Sequence, residues 1–106
     1  MGKIRWTEKA GGNLKAIHDY IAKDSRIYAS RFVRSLIEAT ARLEKMPCCG
    51  RVVPEFEGYS FREVIYHNYR IVYRIIDDSG DVEILAVLHG SREIKKAFGK
   101  EWELLS

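Results

Sequence analysis

Two arginines and one histidine are the side chains best placed for chemistry in this chain of 106 residues. Along Tyr69-Arg70-Ile71-Val72-Tyr73-Arg74-Ile75-Ile76, an extended backbone sends alternate side chains to opposite faces. Arg70, Val72 and Arg74 therefore share one face, and Ile71, Tyr73 and Ile75 share the other. The two guanidiniums lie two pleats apart, with Arg62 on the neighbouring predicted strand. Such a set makes surface ion pairs, here with Glu63 or Glu83, or grips a phosphate or carboxylate through the planar bidentate fork. His89 closes the last predicted strand, just before Gly90-Ser91-Arg92. Imidazole ordinarily titrates at about 6.5, so a histidine here is the natural proton-transfer group at neutral pH, although a lone histidine at a strand end more often serves structure. His18 and His67 read as solvated. No nucleotide-phosphate loop, zinc-protease helix or Ser-His-Asp hydrolase motif is present.

The elements that must carry these residues follow from periodicity. A short opening strand over Lys3–Trp6 points Ile4 and Trp6 the same way. Ala10, Leu14, Ile17 and Ile21 recur every three or four residues, which predicts an amphipathic helix over 8–23. Asp24-Ser25 breaks it and offers capping oxygens to a second helix. That helix carries Ala29, Phe32, Val33, Leu36, Thr40 and Leu43 on one stripe and stops at Pro47 and Gly50. The two helices, about 8–46 together, form an antiparallel hairpin. From residue 51 the pattern becomes strand-like: an irregular edge segment over Arg51–Phe56, then Phe61–Tyr66, Tyr69–Ile76 and Val82–Leu88. His67-Asn68 reads as a tight connection, and Asp77 to Asp81 as a hairpin turn. The expected fold class is α+β: one domain over 1–106, with the helix hairpin packed on a small, mainly antiparallel sheet over about 51–89. Residues 91–106 read as a last helix or a tail.

Composition narrows the function classes. With 46% hydrophobic and 31% charged residues the chain is an ordinary globular sequence. No apolar run approaches the roughly 18–20 residues of a membrane span, and the first residues lack the apolar stretch of a signal peptide, so a cytoplasmic protein is expected. Cys48 and Cys49 are adjacent; they cannot staple distant segments and make a poor zinc site, which predicts two free thiols and neither metal nor cofactor. Formal charge is +3 overall. Residues 1–50 hold ten Lys or Arg against five Asp or Glu, whereas residues 51–106 hold eight against ten. An attraction for an acidic partner belongs to the first half.

A family resemblance joins these pieces. It runs from Trp6 through Ile17-His18-Asp19-Tyr20-Ile21-Ala22, Ala29 to Leu36, Pro47, Gly50-Arg51, Pro54-Glu55 and Arg62-Glu63. It continues through Tyr69-Arg70-Ile71-Val72-Tyr73-Arg74 to Ile84-Leu85-Ala86-Val87-Leu88-His89-Gly90-Ser91-Arg92. Over about residues 4–95 the chain resembles the ParE/RelE toxins of bacterial type II toxin–antitoxin modules. The resemblance implies two helices against an antiparallel sheet and a cognate acidic antitoxin as partner. It also implies one of two targets: DNA gyrase, poisoned without hydrolysis, or ribosome-bound mRNA, which RelE-like members cleave. For RNA cleavage Glu55 or His89 would act as base, His89 as acid, and Arg70 with Arg74 as the phosphate clamp. For target binding the implied set is Arg62, Arg70, Arg74, His89 and Arg92. The closing His-Gly-Ser-Arg resembles the gyrase-directed ParE branch more closely, with plasmid stabilisation as its setting. Arg70→Ala and His89→Gln are both expected to leave folding nearly unchanged, as neither side chain should face the helices.

Overall fold

A computed structural model describes residues 2–54, 60–76 and 80–90 of the chain. Strand β1 (Ile4–Trp6) leads into helix α1 (Glu8–Ala22), followed by helix α2 (Arg26–Ala39) and two short 3-10 turns, Ala41–Glu44 and Pro47–Cys49. Strands β2 (Arg51–Val52), β3 (Phe61–Tyr66), β4 (Tyr69–Ile75) and β5 (Val82–His89) complete it. The five strands lie in the order β1-β5-β4-β3-β2. β2 to β5 pair antiparallel, as expected, but β1 runs parallel to β5. The expected segments Glu55 to Phe56, Asp77 to Ser79 and 91–106 lie wholly outside the described residues. No described helix is long and apolar enough to cross a membrane.

Local chemistry sets the helix ends. The Thr7 hydroxyl accepts from the Ala10 amide and the Ser25 hydroxyl from the Tyr28 amide, so each helix starts on an N-cap that satisfies an otherwise orphaned donor. α2 stops at Ala39, earlier than the stripe implied. At Thr40 the hydroxyl donates back to the Ile37 carbonyl at 2.7 Å, and the chain tightens into the first 3-10 turn. Leu43 stays fully buried there, which is why it kept the helical rhythm in sequence.

One layer of core lies between the helices and the sheet. Ala10, Ile17 and Leu36 from the helices pack with Leu43, Val64, Ile71, Tyr73, Val82, Ile84 and Val87, and Trp6, Leu14, Ile21 and Phe32 close its rim. Burying side chains such as Leu36 or Ile71 is worth roughly 1.5–3 kcal/mol each. The β4–β5 register slips between Val72 and Tyr73, a bulge that removes Leu85 from the ladder. Backbone groups of β5 beside this slip find partners on α1 and its N-cap. The Thr7 hydroxyl donates to the carbonyls of Ile84 (3.0 Å) and Leu85 (3.2 Å), and the Asn13 side-chain oxygen accepts from the Val87 amide at 3.0 Å. Thr7 thus caps a helix and repairs a sheet at once.

Tyr73 ties the second 3-10 turn to the sheet. Its hydroxyl donates to the Pro47 carbonyl at 2.6 Å and accepts from the Gly50 amide at 3.0 Å. Burial pushes this phenol above its ordinary value, outweighing the Gly50 amide that favours the phenolate. The raised value belongs to the folded state, so the unfolded chain deprotonates first. The stabilisation is complete below pH 10, the ordinary phenol value, and falls as pH rises towards the folded value. Denaturant midpoints at pH 8 and about pH 11 should therefore diverge more in the parent than in Tyr73→Phe. Equal divergence would show that the clamp does not titrate.

Candidate functional site

At the far end of the β3–β4 hairpin the chain turns in two residues, His67 and Asn68. His67 adopts φ 52°, the left-handed region that side chains other than glycine seldom enter. The turn pairs Tyr66 with Tyr69, and β5 brings His89 opposite Tyr69. An open hollow of about 370 Å³ results, lined by Ile65, His67, Asn68, Tyr69, Arg70, His89 and Gly90. The two residues singled out for chemistry, Arg70 and His89, share this hollow. His67, read from sequence as merely solvated, lines it as well. The signal for it was the two-residue turn itself, which demands an unusual backbone from one of the pair.

Rings hold the hollow's rim. Phe32 of α2 sits 5.7 Å from both Tyr66 and Tyr69 and 5.8 Å from His67, measured between ring centroids. Tyr69 meets His89 edge to face at 5.7 Å. Such contacts fix ring orientation and contribute about 0.5–1.5 kcal/mol per aromatic pair beyond buried area. His89 itself is exposed.

Arg70 differs from the expectation. It does lie on the sheet face away from the helices, but it is buried, 7% exposed. Its Nε donates to Glu63 Oε1 at 2.6 Å, and Arg51 Nε donates to Glu63 Oε2 at 2.5 Å. Glu63, 1% exposed, is therefore a carboxylate held between two guanidiniums. Arg70→Ala would strip a buried carboxylate of a partner, so the expectation that folding would hardly change is corrected. Arg74 pairs across the strands with Glu83 at 2.9 Å, the surface ion pair that the sequence suggested.

Arg62 is also corrected. The register sets it opposite Tyr73, and directly opposed residues share a face. Arg62 thus stands on the face opposite to Arg70, where its Nη1 donates to the carbonyls of Gly50 at 2.8 Å and Cys48 at 3.3 Å. The other two proposed site residues, Glu55 and Arg92, lie outside the described residues. Among the described residues no cluster of His, Cys, Asp or Glu could hold a metal ion.

The family model of the ParE toxin of type II toxin–antitoxin system, parDE, matches residues 4–94. The chain belongs to the ParE/RelE toxin family. Y4kP of Sinorhizobium fredii, a candidate toxin, is 38% identical over 93 residues, spanning 86% of this chain and 91% of that protein. Toxin RelE2 of Caulobacter vibrioides is 33% identical over 93 residues, spanning 87% of this chain and 99% of that one. In structure, the chromosomal ParDE system of P. aeruginosa aligns with a TM-score of 0.70 at 23% identity, covering 84% of this chain and 96% of that one. The RelBE2 toxin–antitoxin complex of Mycobacterium tuberculosis aligns with a TM-score of 0.62 at 24% identity, covering 83% and 96%. These two structures share the fold of this toxin: two helices on a mostly antiparallel five-stranded sheet.

Proposed function

We propose that this ParE/RelE-family toxin arrests growth by binding DNA gyrase, without cutting RNA, and that an acidic antitoxin neutralises it in the cytoplasm. The observation that carries the first part is the pairing of Arg70. A phosphate clamp for in-line cleavage needs a guanidinium aimed at the developing charge. Arg70 instead spends its Nε on Glu63 and is nearly buried. Target binding makes no such demand, since exposed side chains around a rigid rim suffice for it.

An antitoxin is supported by the surface of the helix hairpin and by charge. Tyr20, Ile27, Tyr28 and Ile37 are 71%, 69%, 58% and 42% exposed on the helices, which gives an apolar partner segment something to cover. The basic first half adds attraction for an acidic chain, acting more on the association rate than on lifetime. A second reading, ribosome-dependent mRNA cleavage, draws on one observation: His67, Arg70 and His89 converge on one hollow.

Purified toxin should inhibit gyrase supercoiling or trap cleaved DNA while leaving ribosome-bound mRNA intact. Cuts in mRNA at the ribosomal A site, with gyrase unaffected, would replace the first reading by the second. His89→Gln sharpens the choice because His89 is exposed and its loss should spare the fold. Toxicity at matched soluble expression should stay within a few-fold of the parent. A proton-transfer role would instead cost about 10²–10⁴ in rate.

A further inference from the structure

We propose that Cys48 and Cys49 form a reversible modification site, a neighbouring dithiol that low-molecular-weight disulfides close into an intramolecular disulfide. Both cysteines are exposed and unbridged, on the turn Pro47–Cys49. Exposed thiols are open to exchange, and two in succession make the second step intramolecular, with the high effective concentration that proximity gives.

The step balances without further reagents. The thiolate of one cysteine attacks a sulfur of the incoming disulfide, forming a mixed disulfide and expelling one thiolate. The neighbouring thiolate then attacks the protein-bound sulfur, forms the Cys48–Cys49 bond and expels the second thiolate. The protein loses two hydrogens and the incoming disulfide is reduced to two thiols.

What makes the site responsive is the frame around it. The Tyr73 hydroxyl holds Pro47 before the pair and Gly50 after it. Arg62 holds the carbonyls of Cys48 and Gly50, and the Cys49 amide bonds to the Met46 carbonyl at 3.1 Å. Consecutive Cα atoms across a trans peptide are about 3.8 Å apart, below the roughly 4.4–6.8 Å at which disulfides are relaxed. Closure must therefore twist the turn against this frame. A strained, exposed disulfide is readily reduced, so the pair closes under oxidising load and reopens when thiols return.

Incubation of the reduced protein with oxidised glutathione, followed by intact-mass and peptide analysis, tests this. The expected product is a monomer lacking two hydrogens, with the new bond in the Cys48–Cys49 peptide, reversed by dithiothreitol. Cys48→Ser and Cys49→Ser should each stop at a single glutathione adduct. The oxidised protein should melt about 4–8 °C lower for each hydrogen bond of the frame that closure breaks. Stable double adducts or covalent dimers in the parent would overturn the proposal. So would an oxidised monomer that melts like the reduced one.

Discussion

Glu63→Ala should destabilise the protein by about 3–5 kcal/mol, the usual cost of removing one member of a buried ion pair. For a chain of this size that is a fall in melting temperature on the order of 10–40 °C, at about 4–8 °C per kcal/mol. The reason lies with Arg70 more than with Glu63. Arg70 is 7% exposed, and without the carboxylate its guanidinium loses the acceptor at 2.6 Å while still shielded from water. Arg51 matters less, since its side chain is 61% exposed and can hydrate instead. Two variants separate these contributions. Arg51→Ala should cost no more than about 1 kcal/mol. Glu63→Gln with Arg70→Met, which removes both buried charges while keeping volume, should recover much of the lost stability. If Glu63→Ala melts within a few degrees of the parent, Glu63 and Arg70 do not depend on each other.

Gly50→Ala should also destabilise the protein, for a steric reason. A Cβ on Gly50 would lie 2.6 Å from the Glu63 carbonyl oxygen and 2.6 Å from the Tyr73 hydroxyl. The Gly50 backbone, at φ −76° and ψ 153°, suits any residue, so alanine would ordinarily gain about 0.4–1 kcal/mol by restricting the unfolded chain. Overpacking a filled site typically costs about 1–3 kcal/mol and wins. The same displacement would break the hydrogen bond from the Gly50 amide to Tyr73. Denaturant unfolding of Gly50→Ala and Gly50→Ala/Tyr73→Phe decides the matter. The double variant should recover only part of the loss, because removing the hydroxyl relieves one contact while the ring carbon Cε1, 2.7 Å from the new methyl, and the Glu63 carbonyl remain. No recovery would place the clash at the Glu63 carbonyl and the ring edge of residue 73, which phenylalanine keeps.

Much of the fold was legible because hydrophobic period and capping chemistry are local. Ala10, Leu14, Ile17 and Ile21 mark α1, and Ser25 starts α2. The alternation from Tyr69 onward separates the faces of β4 correctly. What failed was relational. Arg62 was grouped with Arg70 because both lie on adjacent strands, yet reading His67-Asn68 as the whole connection already fixes the register. Tyr66 opposite Tyr69 puts Arg62 opposite Tyr73 and Glu63 opposite Val72, hence on the face of Arg70. Carrying that count through would have exposed the wrong face of Arg62 and set Glu63 beside Arg70. The parallel pairing of β1 could not be read this way, because no short turn links it to β5. The burial of Arg70 was equally hidden, since burial depends on what covers a face and alternation names only the face. In the candidate site, residue types pointed to Arg70 and His89. His67 escaped because its place at the hollow comes from an unusual backbone angle, which residue type alone does not announce.

The parallel pairing of β1 with β5 also sets a schedule. Ile4–Trp6 leaves the ribosome ahead of its partners Val82–Ile84, which lie 78 residues further along the chain. At about 5–20 residues per second the opening strand waits on the order of 4–16 s for its partner to be made. During that interval the helix hairpin lacks β5, the strand in the middle of its core, and the bulge carbonyls that Thr7 caps do not yet exist. Closing so long a loop adds an entropic barrier that local hairpins avoid. A nascent chain of this topology cannot complete its five-stranded sheet until Ile84 has been made, so the frame of the hollow is assembled late rather than element by element.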